Sequence, residues 1–281
     1  MDVHEILRRH QIRPSKGLGQ NFITDTHTLE RIVAIGDVRA DDVVLEVGPG
    51  VGLLTGLLAD RAAQVVAVEL DRRMVAVLQD TLAGRDNVHI IEADILETDP
   101  VDALLAATGR GSDEMPPPYK VVANLPYYIT SAVLRHMLEA RARPTRMVLM
   151  VQREVARRIV EQPGQMSLLA VSVQVYGRPR IALRVPAGAF YPRPKVDSAV
   201  LDIAVYPQAM VPEDERGRFF RVVNAGFAQK RKQLHNSLTH GLHLSREEVL
   251  ASLSAAEIAP DRRPQTLSIE EWMRLSRALP L

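Results

Sequence analysis

The chain has 281 residues, 46% of them hydrophobic and 25% charged, with a formal net charge of +1 and no cysteine. That size and balance describe an ordinary globular protein with room for one large domain and a smaller one. The missing cysteines exclude disulfides, cysteine nucleophiles and thiolate metal sites, and they suit a reducing, cytoplasmic setting.

The first ten residues carry Asp2, Glu5, Arg8 and Arg9 and lack the apolar core of a secretory signal. Residues 3–11 read as a short helix, 16–22 as a polar, glycine-rich stretch, and 26–36 as a second helix. Strands over 42–47, 64–69, 88–92, 119–123 and 146–151 then alternate with helices over 52–62, 72–82, 100–108 and 130–140. This alternation predicts a mainly parallel, doubly wound α/β sheet. The most apolar stretch, 43–59, is broken by Glu46, Gly48, Pro49, Gly50 and Gly52, so no membrane span is expected. Helices follow over 153–161 and 167–176, then strands over 181–186 and 196–206. Beyond Pro207 only helical signals remain, over 214–227, 231–239, 246–254 and 269–278. The expected division is a catalytic domain over 1–206 and a smaller all-helical domain over 207–281.

Residues 43–52 form a strand that runs into a glycine turn and a helix. Glycines there let the backbone approach a ligand closely. Nineteen residues past Gly50, Glu69 ends the next strand, where a carboxylate can accept from both hydroxyls of a ribose. Three features argue against a dinucleotide site. The spacing is G-x-G-x-G, with Leu53 in the last glycine's place. Glu46 stands before the turn, where it would repel a pyrophosphate. A third acidic strand end, Glu92-Ala93-Asp94, offers an acceptor to an adenine amine. Three strand-end carboxylates behind a glycine turn describe a site for S-adenosylmethionine, a nucleoside with a cationic sulfonium and an amino-acid tail but no phosphate.

Asn124-Leu125-Pro126-Tyr127 ends the apolar run 119–123 and so falls at the carboxyl end of a strand. Asn124 offers a side-chain carbonyl oxygen and Leu125 a backbone carbonyl. Pro126 stiffens the turn, and Tyr127 offers a flat face to a base. Two acceptors that each take one N–H of an aromatic amine favour a pyramidal nitrogen and aim its lone pair outward.

Charge is unevenly spread. Arg135, Arg141, Arg143, Arg146, Arg153, Arg157 and Arg158 cluster against Glu139 and Glu154, and Lys230-Arg231-Lys232 forms a second group. Local basic patches on a near-neutral chain suit docking onto a polyanion. His235 and His240 have metal-like spacing but no third ligand in view, so no metal is expected.

Together these motifs resemble the rRNA adenine dimethyltransferases, the KsgA-type small-subunit enzymes. The resemblance spans nearly the whole chain and is carried by residues 16–23, 46–55, 68–71, 93–94, 124–130, 190–198, 227–238 and 263–268. It implies a Rossmann-like S-adenosylmethionine-dependent methyltransferase domain followed by a helical RNA-recognition domain. The implied reaction moves four methyl groups to two adjacent adenosines in a hairpin loop near the 3′ end of 16S rRNA, in small-subunit biogenesis. The implied enzyme is a cytoplasmic monomer that uses S-adenosylmethionine and no metal. Cofactor contacts are implied at Asn21, Ile23, Gly48, Gly50, Glu69, Leu70, Asp94, Ile95 and Asn124. Asn124, Leu125, Pro126 and Tyr127 would face the target amine, with Phe190 closing a sandwich on the base. RNA contacts are implied at Lys230, Arg231, Lys232, Arg153 and Arg157. The chain departs from the family pattern at Gln165-Met166-Ser167, which is short and lacks a Tyr-Gly pair, and at Tyr128, where a smaller polar residue is common. Resistance methyltransferases acting on large-subunit rRNA share the cofactor and catalytic motifs, but the long helical domain and Leu125 favour the small-subunit reading.

Overall fold

The computed structural model describes residues 2–111, 113–229 and 232–281. Its contacts form two compact units, Met1–Ala156 with Arg178–Val205, and Arg157–Gly177 with Tyr206–Leu281.

In the first unit, α1 (Val3–Arg9), β1 (Phe22–Ile23) and α2 (Thr26–Ile35) precede an alternating series. That series is β2 (Val43–Val47), α3 (Leu53–Ala59), β3 (Gln64–Glu69), α4 (Arg72–Thr81), β4 (Val88–Glu92), α5 (Pro100–Thr108), β5 (Tyr119–Asn124), α6 (Thr130–Leu138) and β6 (Arg146–Gln152). After α7 (Arg153–Ile159) and α8 (Leu168–Gln174) come β7 (Gly177–Val185), β8 (Phe190–Tyr191) and β9 (Ser198–Val205). Among the described residues the main sheet has the order β4-β3-β2-β5-β6-β9-β7. Strands β2 to β6 pair in parallel, and β9 runs antiparallel to β6 from Arg146↔Ala204 to Gln152↔Ser198.

The helices begin where side chains cap them. Asp25, Asp71 and Asp99 each accept a backbone N–H from the first turn of α2, α4 and α5, and Pro100 opens α5 where no N–H is needed. Every residue of β2 is buried, which explains its unbroken apolar run apart from Glu46. Ile32, Val33, Leu54 and Leu58 pack with Val44, Val65, Val122 and Val148 in one core cluster. Successive strands run outward from β2 through β3 to β4 on one side and from β5 to β6 on the other. The order reverses between β2 and β5, and crevices at such switch points are where open α/β sheets bind ligands.

β1 and β8 form a separate two-stranded ribbon, with Phe22 opposite Tyr191 and Ile23 opposite Phe190. Sequence patterning assigns no strand to either segment, because two residues have no measurable period.

The second unit adds α9 (Glu213–Phe227), α10 (Leu234–Leu242), α11 (Arg246–Ala255) and α12 (Ile269–Ala278). Its core holds Phe219, Leu238, Leu253 and Trp272, all fully buried. Residues 157–177, placed with the sheet by a division at 206, cluster here. The Tyr206 and Met210 amides donate to the Tyr176 and Val175 carbonyls at 2.8 and 2.9 Å, and the Gly164 amide donates to the Gln265 carbonyl at 2.9 Å. α10 starts at Leu234, later than residue 231, and buries Leu234, Leu238 and Leu242 on one face. Lys232 therefore precedes the helix, while Lys230 and Arg231 lie outside the described residues. His235 is a core residue whose Nδ1 lies 2.9 Å from the Pro260 carbonyl. Among the described residues no helix is long and apolar enough to cross a membrane.

Candidate active site

The carboxyl ends of β2, β3, β4 and β5 converge on one cavity, lined by residues 18–23, 46–51, 53–54, 68–70, 93–96 and 124–129 together with Leu29. All the expected cofactor residues line it: Asn21, Ile23, Gly48, Gly50, Glu69, Leu70, Asp94, Ile95 and Asn124. Leu125, Pro126 and Tyr127 line it too, as does Tyr128.

The floor is the glycine turn. Gly48, Gly50 and Gly52 have φ of 66°, 59° and 86°, a region that disfavours side chains. A Cβ on Gly50 would come within 2.8 Å of the Phe22 ring, so the turn needs glycine for space as well. Glu69 holds this turn: its Oε2 accepts from the Gly50 amide at 3.1 Å and its Oε1 from the Asp71 amide at 2.9 Å. Each oxygen keeps a second lone pair for a ribose hydroxyl. Burial raises the Glu69 pKa, and the two N–H bonds oppose that rise. Asp94 Oδ1 accepts from the Leu96 amide at 2.9 Å, and its backbone carbonyl accepts from Thr98 Oγ1 at 2.8 Å.

Glu46 differs from the other two carboxylates. It is 1% exposed, and its Oε2 finds no hydrogen-bond partner among the described residues. Burial pushes its pKa up to about 8, with the Thr55 hydroxyl opposing and the Glu69 carboxylate adding to the rise.

Residues 15–23 cover one side. Gln20 clasps the sheet: its Nε2 donates to Asp71 Oδ2 at 2.9 Å, and its Oε1 accepts from the Ser15 amide at 2.7 Å. α1 anchors the segment by packing Val3, Ile6 and Leu7 with Phe22, Met74 and Val77.

The catalytic turn meets this segment directly: Asn124 Nδ2 donates to the Asn21 backbone carbonyl at 2.9 Å. A carbonyl only accepts, so this bond sets the amide's orientation and leaves Oδ1 as the free acceptor. The Leu125 amide donates to the Met150 carbonyl at 3.2 Å, which fixes the peptide that presents the Leu125 side. The Tyr127 hydroxyl lies 2.7 Å from Ser198 Oγ, and burial raises its pKa.

Phe190 does not line the cavity. Its ring is 4% exposed and packs in the core with Ile23, Leu29 and Val200. In a strand successive side chains face opposite ways, so Phe190 turns inward while Tyr191, 39% exposed, turns out against the His4 ring at 4.2 Å. The sandwich expected from Tyr127 and Phe190 is therefore not formed in this structure. Arg153 pairs with Asp197 at 3.2 Å, and Arg157 and Lys232 are exposed. Sequence reasoning also missed Gln20 as a clasp and Ser198 as the partner of Tyr127. Both stand inside the segments 16–23 and 190–198 that carry the family resemblance.

The lining holds three carboxylates, Glu46, Glu69 and Asp94, and among the described residues no Lys, Arg or His. Such a donor set fits a ligand with ribose hydroxyls and positive charge and opposes one with phosphates. The fold and this lining define a Rossmann-like, S-adenosylmethionine-dependent methyltransferase. Within that class the model of the Ribosomal RNA adenine dimethylase family matches residues 10–279, and the chain belongs to that family. It is 47% identical over 271 residues to a protein named Ribosomal RNA small subunit methyltransferase A from Dehalococcoides mccartyi, covering 96% of this chain and 90% of the relative. A protein of the same name from Moorella thermoacetica is 43% identical over 277 residues, covering 98% and 95%. Among solved structures, the 23S rRNA methyltransferase ErmE superposes with a TM-score of 0.71 at 30% identity, over 92% of this chain and 100% of that one. A dimethyladenosine transferase from Plasmodium falciparum has the same fold, with a TM-score of 0.76 at 22% identity over 90% and 95%.

Proposed function

We propose that this chain transfers methyl groups to N6 of two adjacent adenosines in the hairpin loop near the 3′ end of 16S rRNA, in small-subunit biogenesis. It acts in the cytoplasm as a monomer and without a metal. The observation that carries the reading is the orientation of Asn124, whose Nδ2 is taken by the Asn21 carbonyl so that Oδ1 is free to accept from an amine. The relatives named for the small subunit, at 47% and 43% identity over nearly the whole chain, support the choice of RNA. ErmE, at 30%, makes large-subunit rRNA the second reading.

S-adenosylmethionine, when bound, supplies an electrophilic methyl on a sulfonium. Glu69 would accept from the ribose hydroxyls, Asp94 from the cofactor's adenine amine, and Glu46 would face the cationic end. Asn124 Oδ1 and the Leu125 carbonyl each accept one N–H of the target amine, which localises the nitrogen lone pair. Tyr127 holds the base by its face. The target nitrogen would take the methyl while the sulfur keeps the bonding pair, and the methylated amine, a strong acid, would lose its proton to water. Most of the acceleration comes from position and orientation. The monomethylated amine has one proton left, so the second transfer proceeds with one acceptor contact and space for the first methyl.

Incubating the protein with unmethylated small subunits and with large subunits, using labelled cofactor, and mapping the modified base tests the reading. Label on N6 of the adjacent small-subunit adenosines is expected. Label confined to the large subunit would give the second reading the site.

A further inference from the structure

The catalytic turn carries two consecutive tyrosines whose surroundings differ. Tyr127 and Tyr128 open a single 3₁₀ turn, Tyr127–Ile129, in which neighbouring side chains project about 120° apart. Tyr127 reaches inward to Ser198. Tyr128 points outward and is 62% exposed, although it lines the same cavity. Aromatics make up 4% of the sequence, and among the described residues only Tyr128 and Tyr191 are exposed. Tyr191 is engaged by His4. The Tyr128 ring is instead backed by the turn at Gly19, where a Cβ would come within 3.3 Å of its Cδ1 and Cε1. Gly19 has φ of +62° and donates to the Lys16 carbonyl at 3.1 Å, so the backing is a closed turn. Lys16 on that turn and Arg13 just before it are exposed.

A flat ring with one face supported, the rest open to solvent, and an exposed lysine on the supporting turn is a platform for a nucleobase on a phosphate backbone. We infer that Tyr128 stacks the adenine next to the target in the RNA, outside the catalytic cavity, while Tyr127 serves the base within it. The physical motive is the vacancy that flipping creates. A nucleotide drawn out of its stack leaves its neighbour with one face uncovered. The Tyr128 ring replaces the lost partner, and Lys16 and Arg13 meet the adjoining phosphates. A purine offers the larger face, so a target followed or preceded by another adenine is favoured. The inference rests on the RNA-adenine reading above and assigns Tyr128 as a positioning residue for that substrate.

The test uses full-length protein and unmethylated small subunits reconstituted with 3′ rRNA that carries the natural neighbour or an abasic site on either side of the target. Tyr128→Ala is expected to raise KM for the natural RNA roughly fivefold or more, the scale of one base–aromatic stack. Turnover at saturation and calorimetric cofactor affinity should change much less. Tyr128→Phe should retain wild-type KM. An abasic neighbour on one side should impose a similar penalty on the wild type and none further on Tyr128→Ala. An unchanged KM in folded Tyr128→Ala would overturn the inference, as would an undiminished penalty from that variant on abasic RNA. So would a loss of cofactor affinity matching the loss in KM, which would make the ring a wall of the cofactor cavity. If Tyr128→Ala does not fold, Tyr128→Leu and the wild type on abasic RNA decide by the same comparison. Wild-type protein that leaves small subunits unmodified would instead overturn the functional reading, and this inference with it.

Discussion

The Tyr127 hydroxyl lies 2.7 Å from Ser198 Oγ, which ties the catalytic turn after β5 to the first residue of β9. Ser198 is fully buried, so no water replaces it readily. Ser198→Ala leaves the Tyr127 hydroxyl short of a partner at a cost of about 1–3 kcal/mol and frees the ring to turn. Single-turnover transfer is expected to fall several-fold with unchanged cofactor affinity. A folded variant with wild-type rate would show that the ring is held by packing alone.

Asn124→Ala removes both the acceptor Oδ1 and the tie to the Asn21 carbonyl. Transfer should drop by about 100-fold or more, the scale of losing one preorganised hydrogen bond to a charge-developing group. Cofactor binding should weaken modestly, because Asn21 loses its partner. Retention of the wild-type single-turnover rate would remove Asn124 from the chemistry.

Glu69→Ala is expected to weaken cofactor binding at least about tenfold, since charged hydrogen bonds are worth roughly 1.5–3 kcal/mol. It also frees the Gly50 and Asp71 amides, so thermal stability without cofactor should fall as well. Calorimetry and melting on the same variant separate the two effects. Unchanged affinity would leave Glu69 with the turn alone.

Glu46 predicts a pH dependence. Its ordinary value is 4.5, and burial in the fold pushes it up to about 8. Between those values the folded protein holds a proton that the unfolded chain has released. The stability it contributes is full below pH 4.5 and is lost as pH rises through about 8. Glu46→Gln should flatten that slope and leave the variant more stable than wild type at high pH by a few kcal/mol, measured by urea unfolding at low and high pH. A cationic ligand favours the ionised form, so wild-type cofactor affinity should strengthen as pH rises through the same range, and the Gln variant should lose this trend. Parallel pH profiles in the two proteins would contradict the assignment.

In the helical unit, a Cβ on Gly226 would collide with Trp272 Cη2. Gly226→Ala therefore overpacks α9 against α12, a class of change that costs about 1–3 kcal/mol. Gly217, on the same helix, meets nothing within 4 Å, so Gly217→Ala is expected to be neutral or stabilising. Denaturant midpoints of the two variants, moving apart, are the check.

The alternating half of the fold was legible because buried strands such as β2 and β3 write themselves as apolar runs, and the partly buried β4 still carries an apolar Ile90-Ile91 pair. β3, β4 and α5 have the boundaries that the pattern predicts, and α5 is framed by the Asp99 cap and by Gly109 at φ 68°. The place of Glu69, Asp94, Gly48 and Gly50 in the cavity lining was legible because strand-end positions follow from strand boundaries. Phe190 was not, since which way a side chain faces in a two-residue strand depends on a partner strand far along the chain. The same reason hid the Tyr127–Ser198 contact, 71 residues apart in sequence. The start of α10 was misjudged because Lys and Arg have good helix propensity, while the buried face begins only at Leu234.

The helical unit is stitched from two stretches of chain, with Tyr176 bonded to Tyr206 through the backbone and its ring stacked on Phe220 at 6.5 Å. A gene segment cut once near codon 207 would leave part of that unit's core behind on the other fragment. Grafting the tail of one relative onto the head of another at that point mismatches the Tyr176 side of the join. A working chimera needs three cuts, one on each side of residues 157–177 and another after residue 205. A single crossover at that point is thereby disfavoured.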